Sequence, residues 1–194
     1  NLAININSNQ KVLIFLSSGR VFTLDPYIFP GGKSHPKSFI YFIEAATNEK
    51  LIGITSVENE KKVILVSLNG KGFISEVNNI TTNHKKGKQV FNLKNDDLVL
   101  KVIDYDKTHI ACVTKAKKML IFDLKSLPSL QKGGGVQLIK IKNKDCLSDI
   151  SLLNMNDGLK WYSGSKNRKL DDINFWMGKR AQTGRKIPKY FNKN

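Results

Sequence analysis

Four short loops in this 194-residue chain combine glycine with lysine or arginine: GGKSHPK (Gly31 to Lys37), HKKGKQ (His84 to Gln89), QKGGGVQ (Gln131 to Gln137) and GKRAQTGRK (Gly178 to Lys186). Glycine lets backbone N–H groups approach an anion, and neighbouring cations add charge, so the chemistry on offer is phosphate binding. The candidate contacts are Lys33 and Lys37, then Lys85, Lys86 and Lys88, then Lys132, then Lys179, Arg180, Arg185 and Lys186. The whole chain leans the same way, because 32 Lys and Arg against 16 Asp and Glu leave +16. Such a balance points to a polyanionic partner, most often nucleic acid. Residues 1–60 are net neutral, 61–108 and 109–158 carry +4 each, and 159–194 carry +8. The last three loops should therefore contribute most, and Lys33 and Lys37 least. Only four of the 32 basic residues are arginine. Lysine is a point charge suited to phosphate, whereas base edges are read best by the arginine fork, so backbone binding is favoured over sequence readout.

Other chemistries fail on spacing. GGKS (Gly31 to Ser34) has the look of a phosphate-binding loop, but that motif needs glycine six residues before the lysine, and Tyr27 stands there. Asp104 and Asp106 form a D-x-D that reads as a solvated loop rather than a magnesium site. His35, His84 and His109 lie far apart with no Cys or acid at ligand spacing, which argues against zinc. Cys112 and Cys146 lack a C-x-x-C and read as reduced thiols of a cytoplasmic protein. Apolar runs stop at five or six residues, far short of the roughly 20 that span a bilayer. No catalytic set converges, and no cofactor is expected in this chain.

The loops are positioned by a repeat. Apolar runs begin at Val12 (VLIFL), Val63 (VILV), Ile110 (IACV) and Leu159 (LKWY), steps of 51, 47 and 49 residues. Thirteen residues past the first three anchors and twelve past the fourth stand Asp25, Glu76, Asp123 and Asp171. These acids read as caps of short turns, accepting from backbone N–H groups. Four residues beyond each comes a large apolar side chain, Phe29, Ile80, Leu127 or Phe175, and then the basic loop. The runs are short and rich in β-branched and aromatic residues, which predicts strands. SSGR (Ser17 to Arg20) and LNGKG (Leu68 to Gly72) read as hairpin turns, and Lys115 to Lys118 takes that place without a glycine. Trp161 and Trp176, in apolar strand context, read as core. Units of about 50 residues must stack to bury both faces, so the predicted fold is an all-β, propeller-like disc of about four blades, each a small antiparallel sheet. The predicted repeats are about 11–60, 61–108, 109–158 and 159–194, with a solenoid as the alternative stacking. Equivalent loops would then line a belt along one rim.

Four stretches carry a resemblance: SNQKVLIFLSSGRVFTLDPYIFP (Ser8 to Pro30), GFISEVNNITTNHKKGKQVFNL (Gly72 to Leu93), KMLIFDLKSLPSLQKGGGVQLIKI (Lys118 to Ile141) and GSKNRKLDDINFWMGKRAQTGRK (Gly164 to Lys186). Together, in this order, they resemble the C-terminal domain of the A subunit of bacterial type IIA topoisomerases, topoisomerase IV rather than gyrase. The resemblance implies a β-pinwheel whose blades exchange strands and whose basic rim holds and bends duplex DNA, supporting decatenation and relaxation. It implies that the catalytic tyrosine lies in a preceding cleavage domain, directly after an arginine. None of Tyr27, Tyr41, Tyr105, Tyr162 and Tyr190 follows arginine. The implied partners are DNA, that cleavage domain and the ATPase B subunit, with Mg and ATP used by the holoenzyme, in the cytoplasm and away from membrane. The family disc has five or six blades, so a first blade is expected upstream of Asn1 and the fragment is expected to form an open or broken disc. The gyrase-box heptapeptide, which belongs to that first blade, is absent here. Alternatives are the corresponding gyrase domain itself, or a propeller that recruits an acidic protein.

Overall fold

A computed structural model describes residues 4–28, 42–46, 48–142, 145–163 and 166–188. The first repeat supplies a hairpin, β1 (Val12–Leu16) and β2 (Arg20–Leu24), and a returning strand, β3 (Leu51–Ser56). The second supplies β4 (Lys62–Ser67), β5 (Lys71–Glu76), a two-residue strand β6 (Lys88–Gln89) and β7 (Val99–Asp104). The third repeats this with β8 (His109–Thr114), β9 (Lys118–Asp123), β10 (Val136–Gln137) and β11 (Leu147–Leu153). The fourth contributes β12 (Leu159–Ser163), β13 (Lys166–Leu170) and β14 (Arg185–Lys186). The described helical turns are all of the short 3-10 kind. The fold is all-β.

The pairing order is β3-β1-β2-β6, β10-β5-β4-β7, β11-β8-β9-β14 and β12-β13. Each two-residue strand therefore leaves its own repeat and closes the edge of the preceding sheet. The opposite edges, β3, β7 and β11, lie against one another in series. Blades thus converge on the returning strands and exchange chain at the outer edge. Among the described residues no backbone hydrogen bond joins the fourth sheet to the first.

Strands buried on both faces read as unbroken apolar runs, and VLIFL and VILV are such runs. Leu13 and Phe15 face sheet two in a core with Leu65, Phe73 and Phe91, while Ile14 and Leu16 pack on the other face with Phe22 and Ile43. Sheets two and three share Ile64, Ile74, Leu120 and Phe122; sheets three and four share Met119, Ile121, Trp161 and Leu170. The core lies between blades rather than within them.

The hairpin turns are what the exchanged strands grip. Gly19 and Gly70 stand at φ 84° and 75°, a left-handed backbone that a Cβ disfavours. The Gly19 carbonyl accepts from the N–H groups of Val90 and Phe91 at 3.0 and 3.1 Å, and that of Gly70 from Leu138 at 2.8 Å. Lys117 fills the same place in the third repeat at φ 59°, its carbonyl accepting from Ile187 N–H at 3.0 Å. The hairpin predicted without a glycine is therefore present, with a strained lysine. Lys117→Gly should relieve about 1–2 kcal/mol of strain, partly offset by the looser unfolded chain. A rise in Tm of roughly 2 °C is expected. Gly70→Ala should lower Tm, because its Cβ would stand 2.7 Å from Ile141 Cδ1 on an unfavourable backbone. Thermal unfolding of both variants checks the pair; equal shifts of the same sign would refute the turn geometry.

Candidate nucleic-acid interface

Each of the three basic loops within the described residues ends in an exchanged strand. HKKGKQ carries β6, QKGGGVQ carries β10, and GKRAQTGRK carries β14. The register is the same each time: Gln89 faces Arg20, Gln137 faces Lys71 and Lys186 faces Lys118. Gln89 Nε2 donates to the carbonyls of Ser18 and Phe91 at 2.8 and 2.7 Å, and Gln137 Nε2 to those of Asn69 and Ile139 at 3.0 and 2.9 Å. Each amide clamps the exchanged strand to the turn of the blade before. The recurring GKQ and GVQ carried that signal in the sequence, and spacing alone did not reveal its meaning.

Successive loops are laid edge to edge. Lys85 O accepts from Glu44 N–H at 3.3 Å. Gly133 donates to Val90 O at 3.0 Å and accepts from Asn92 at 2.8 Å, and Ala181 donates to Leu138 O at 2.8 Å while Gln182 O accepts from Lys140 at 2.9 Å. The QKGGGVQ and GKRAQTGRK loops therefore each lie on the segment that follows the previous exchanged strand.

Lys85, Lys86, Lys132, Lys179, Arg185 and Lys186 are exposed, and Lys88 and Arg180 are half-buried. Lys33 and Lys37 lie outside the described residues. Lys88 Nζ donates to Asn79 O at 2.8 Å. Arg180 is not simply a solvated cation, since its Nη1 donates to Gln137 O at 2.8 Å and ties the fourth loop to the third. Arg185 sits 4.9 Å over the Phe175 ring, and its Nη1 donates to Phe175 O. Among the described residues none of these eight cations forms an ion pair. The acids are engaged elsewhere: Glu49 with Arg20 at 3.8 Å, Glu76 with Lys62 at 3.6 Å, Asp104 with Lys61 at 3.1 Å and Asp149 with Lys101 at 3.0 Å. Asp106 and Asp171 pair with Lys107 and Lys169. Glu58, hydrogen-bonded by Ser56 and close to Lys61, has its carboxyl held below the usual range. Within the described residues the loop cations keep their charge uncompensated.

Some sequence assignments need correction. Asp25 and Asp123 accept from the N–H groups of Tyr27 and Lys125 at 3.4 and 2.8 Å, as expected of caps. Glu76 makes no cap and instead accepts from Asn79 Nδ2 at 2.9 Å. In the fourth repeat the N-cap is Ile173, with no side-chain cap bond, and it is Asp172 rather than Asp171 that accepts from Asn174 N–H at 3.0 Å. The repeated apolar positions differ too: Ile80 and Leu127 are 0% and 6% exposed, whereas Phe175 is 55% exposed and Ile173 is the buried residue of its turn. Phe29 falls outside the described residues. Trp161 is buried, and Trp176 is half-buried with its Nε1 donating to Lys186 O at 3.0 Å. Both cysteines are free, and burial pushes the Cys112 thiol far up. Among the described residues no group of three His, Cys, Asp or Glu is placed to hold a metal.

The same architecture is found in known proteins. Residues 61–104 and 108–154 match the DNA gyrase C-terminal domain, beta-propeller family. The A subunit of DNA topoisomerase 4 from Rickettsia bellii is 33% identical over 187 residues, covering 96% of this chain and 25% of that protein. Its Caulobacter vibrioides counterpart is 30% identical over 188 residues, again covering 96% of this chain. The chain belongs to the gyrase A C-terminal family of β-pinwheels. It spans about a quarter of the length of the curated relatives it matches. The E. coli ParC C-terminal domain superposes with a TM-score of 0.86 at 23% identity, covering 97% of this chain and 81% of that one. The gyrase A C-terminal domain gives 0.67 at 18%, covering 93% and 60%. This pinwheel thus follows the topoisomerase IV type in sequence and fold.

Proposed function

We propose that this pinwheel binds duplex DNA without sequence preference along its outer rim and bends it, as the C-terminal module of the A subunit of a topoisomerase IV. The observation that supports it is that eight loop cations are free of ion pairs among the described residues, on three loops that each end in an exchanged strand. A duplex following those loops along the rim would meet one phosphate-binding loop per blade and bend with the disc. Strand cleavage and ATP use would belong to the preceding cleavage domain and the B subunit, with Mg and ATP, in the bacterial cytoplasm. The module's part would be to present a second duplex, tuning decatenation against relaxation.

The test compares Lys85→Ala with Lys86→Ala as one double variant, and Lys33→Ala with Lys37→Ala as another. The first pair should weaken binding equally on unrelated sequences and reduce the salt slope by about two. Tm should barely move, since solvated loop cations support little packing. Equal losses from the two pairs would remove the expected gradient along the rim, and no loss from either would take the loops off the binding face.

A further inference from the structure

Resting on that function, we infer that Phe175 is a positioning residue that holds Arg185 as a pre-ordered anion contact, a rigid cation among flexible lysines on the rim. Ile173 is the buried residue of this turn, and Phe175 two residues on is 55% exposed. The exposed ring is held in place and in turn holds a neighbour. The ring is braced edge-on by Trp176, centroids 5.1 Å apart at 84°, and Trp176 is itself fixed by its bond to Lys186 O at 3.0 Å. The guanidinium of Arg185 lies 4.9 Å above the ring and donates through Nη1 to the Phe175 carbonyl. Two contacts to one residue thus fix a side chain that otherwise has many rotamers. A guanidinium carries five N–H donors, so the remainder stay available for a bidentate phosphate contact. Binding then loses less side-chain freedom at Arg185 than at Lys85 or Lys86.

The experiment measures duplex affinity and salt slope for Phe175→Ala, Phe175→Tyr, Arg185→Ala and the Phe175→Ala/Arg185→Ala double variant, with Lys85→Ala/Lys86→Ala as the reference. Exposed cation–π pairs are modest, so Phe175→Ala should weaken binding roughly two- to fivefold. Its salt slope should stay unchanged, because no charge is lost. Phe175→Tyr should bind like the parent. Arg185→Ala should reduce the slope by about one, and the double variant should bind no worse than Arg185→Ala alone. Additive losses would mean that Phe175 touches DNA itself and would overturn the positioning role. A full loss from Phe175→Ala that Phe175→Tyr does not rescue, with lowered Tm, would reduce Phe175 to a structural part. If Arg185→Ala binds normally while the reference pair fails, Arg185 is no contact. If no variant, including the reference pair, changes binding, the DNA function itself fails.

Discussion

Phe91→Ala is expected to destabilise the domain by about 3–5 kcal/mol, the usual effect of truncating a fully buried phenylalanine. Phe91 is 0% exposed, packs edge-on to Phe73 at 5.0 Å, and its N–H donates to Gly19 O at 3.1 Å directly after β6. It is the plug that seats the second repeat's exchanged segment on the first blade. Tm should fall by roughly 10 °C. The loss should be local first: amide exchange at Val90 and Phe91 should quicken more than at β4 or β8, since segments with fewer packed contacts open at lower free energy. Phe91→Leu keeps most of the volume and should lose less than about 1.5 kcal/mol. DNA affinity of Phe91→Ala, measured well below its Tm, should drop although no cation is removed, because the HKKGKQ loop is no longer held at the rim. A normal Tm, or normal affinity with quickened exchange, would show that the exchanged strand does not position that loop.

Much of the scaffold was legible in the sequence because it rests on local pattern. Val12 and Leu159 open β1 and β12, and Val63 and Ile110 are the second residues of β4 and β8. Unbroken apolar runs marked strands covered on both faces, and Gly19 and Gly70 marked the turns. The exchange itself was not legible from these residues. A two-residue strand has no period, and its partner lies in another repeat, so Lys88–Gln89 reads as a loop until the turn carbonyl it serves is known. At Lys117 the turn was legible only from its place in the repeat, because the left-handed backbone there is held without glycine. Phe175 read only as the fourth of the repeated large apolar positions. Its spacing from Asp171 matched that of the buried Ile80 and Leu127, but this turn buries Ile173 instead and leaves the Phe175 ring exposed. Arg180 and Arg185 read as phosphate contacts, yet each also binds a backbone carbonyl, which charge counting cannot detect.

The salt dependence of duplex binding tests the central claim most directly. Counterions released from DNA scale with the phosphates neutralised, so a rim that engages about 6 to 10 phosphates predicts a log–log slope of roughly −5 to −9. Affinity for any duplex of the same length should then fall about 10³- to 10⁵-fold between roughly 50 and 200 mM salt. Titrating one fluorescent duplex, and a second of unrelated sequence, across that range measures both slope and specificity. Matching steep slopes on the two duplexes are the expected result. A flat response, or strong binding to one sequence alone, would contradict a rim that reads only phosphate.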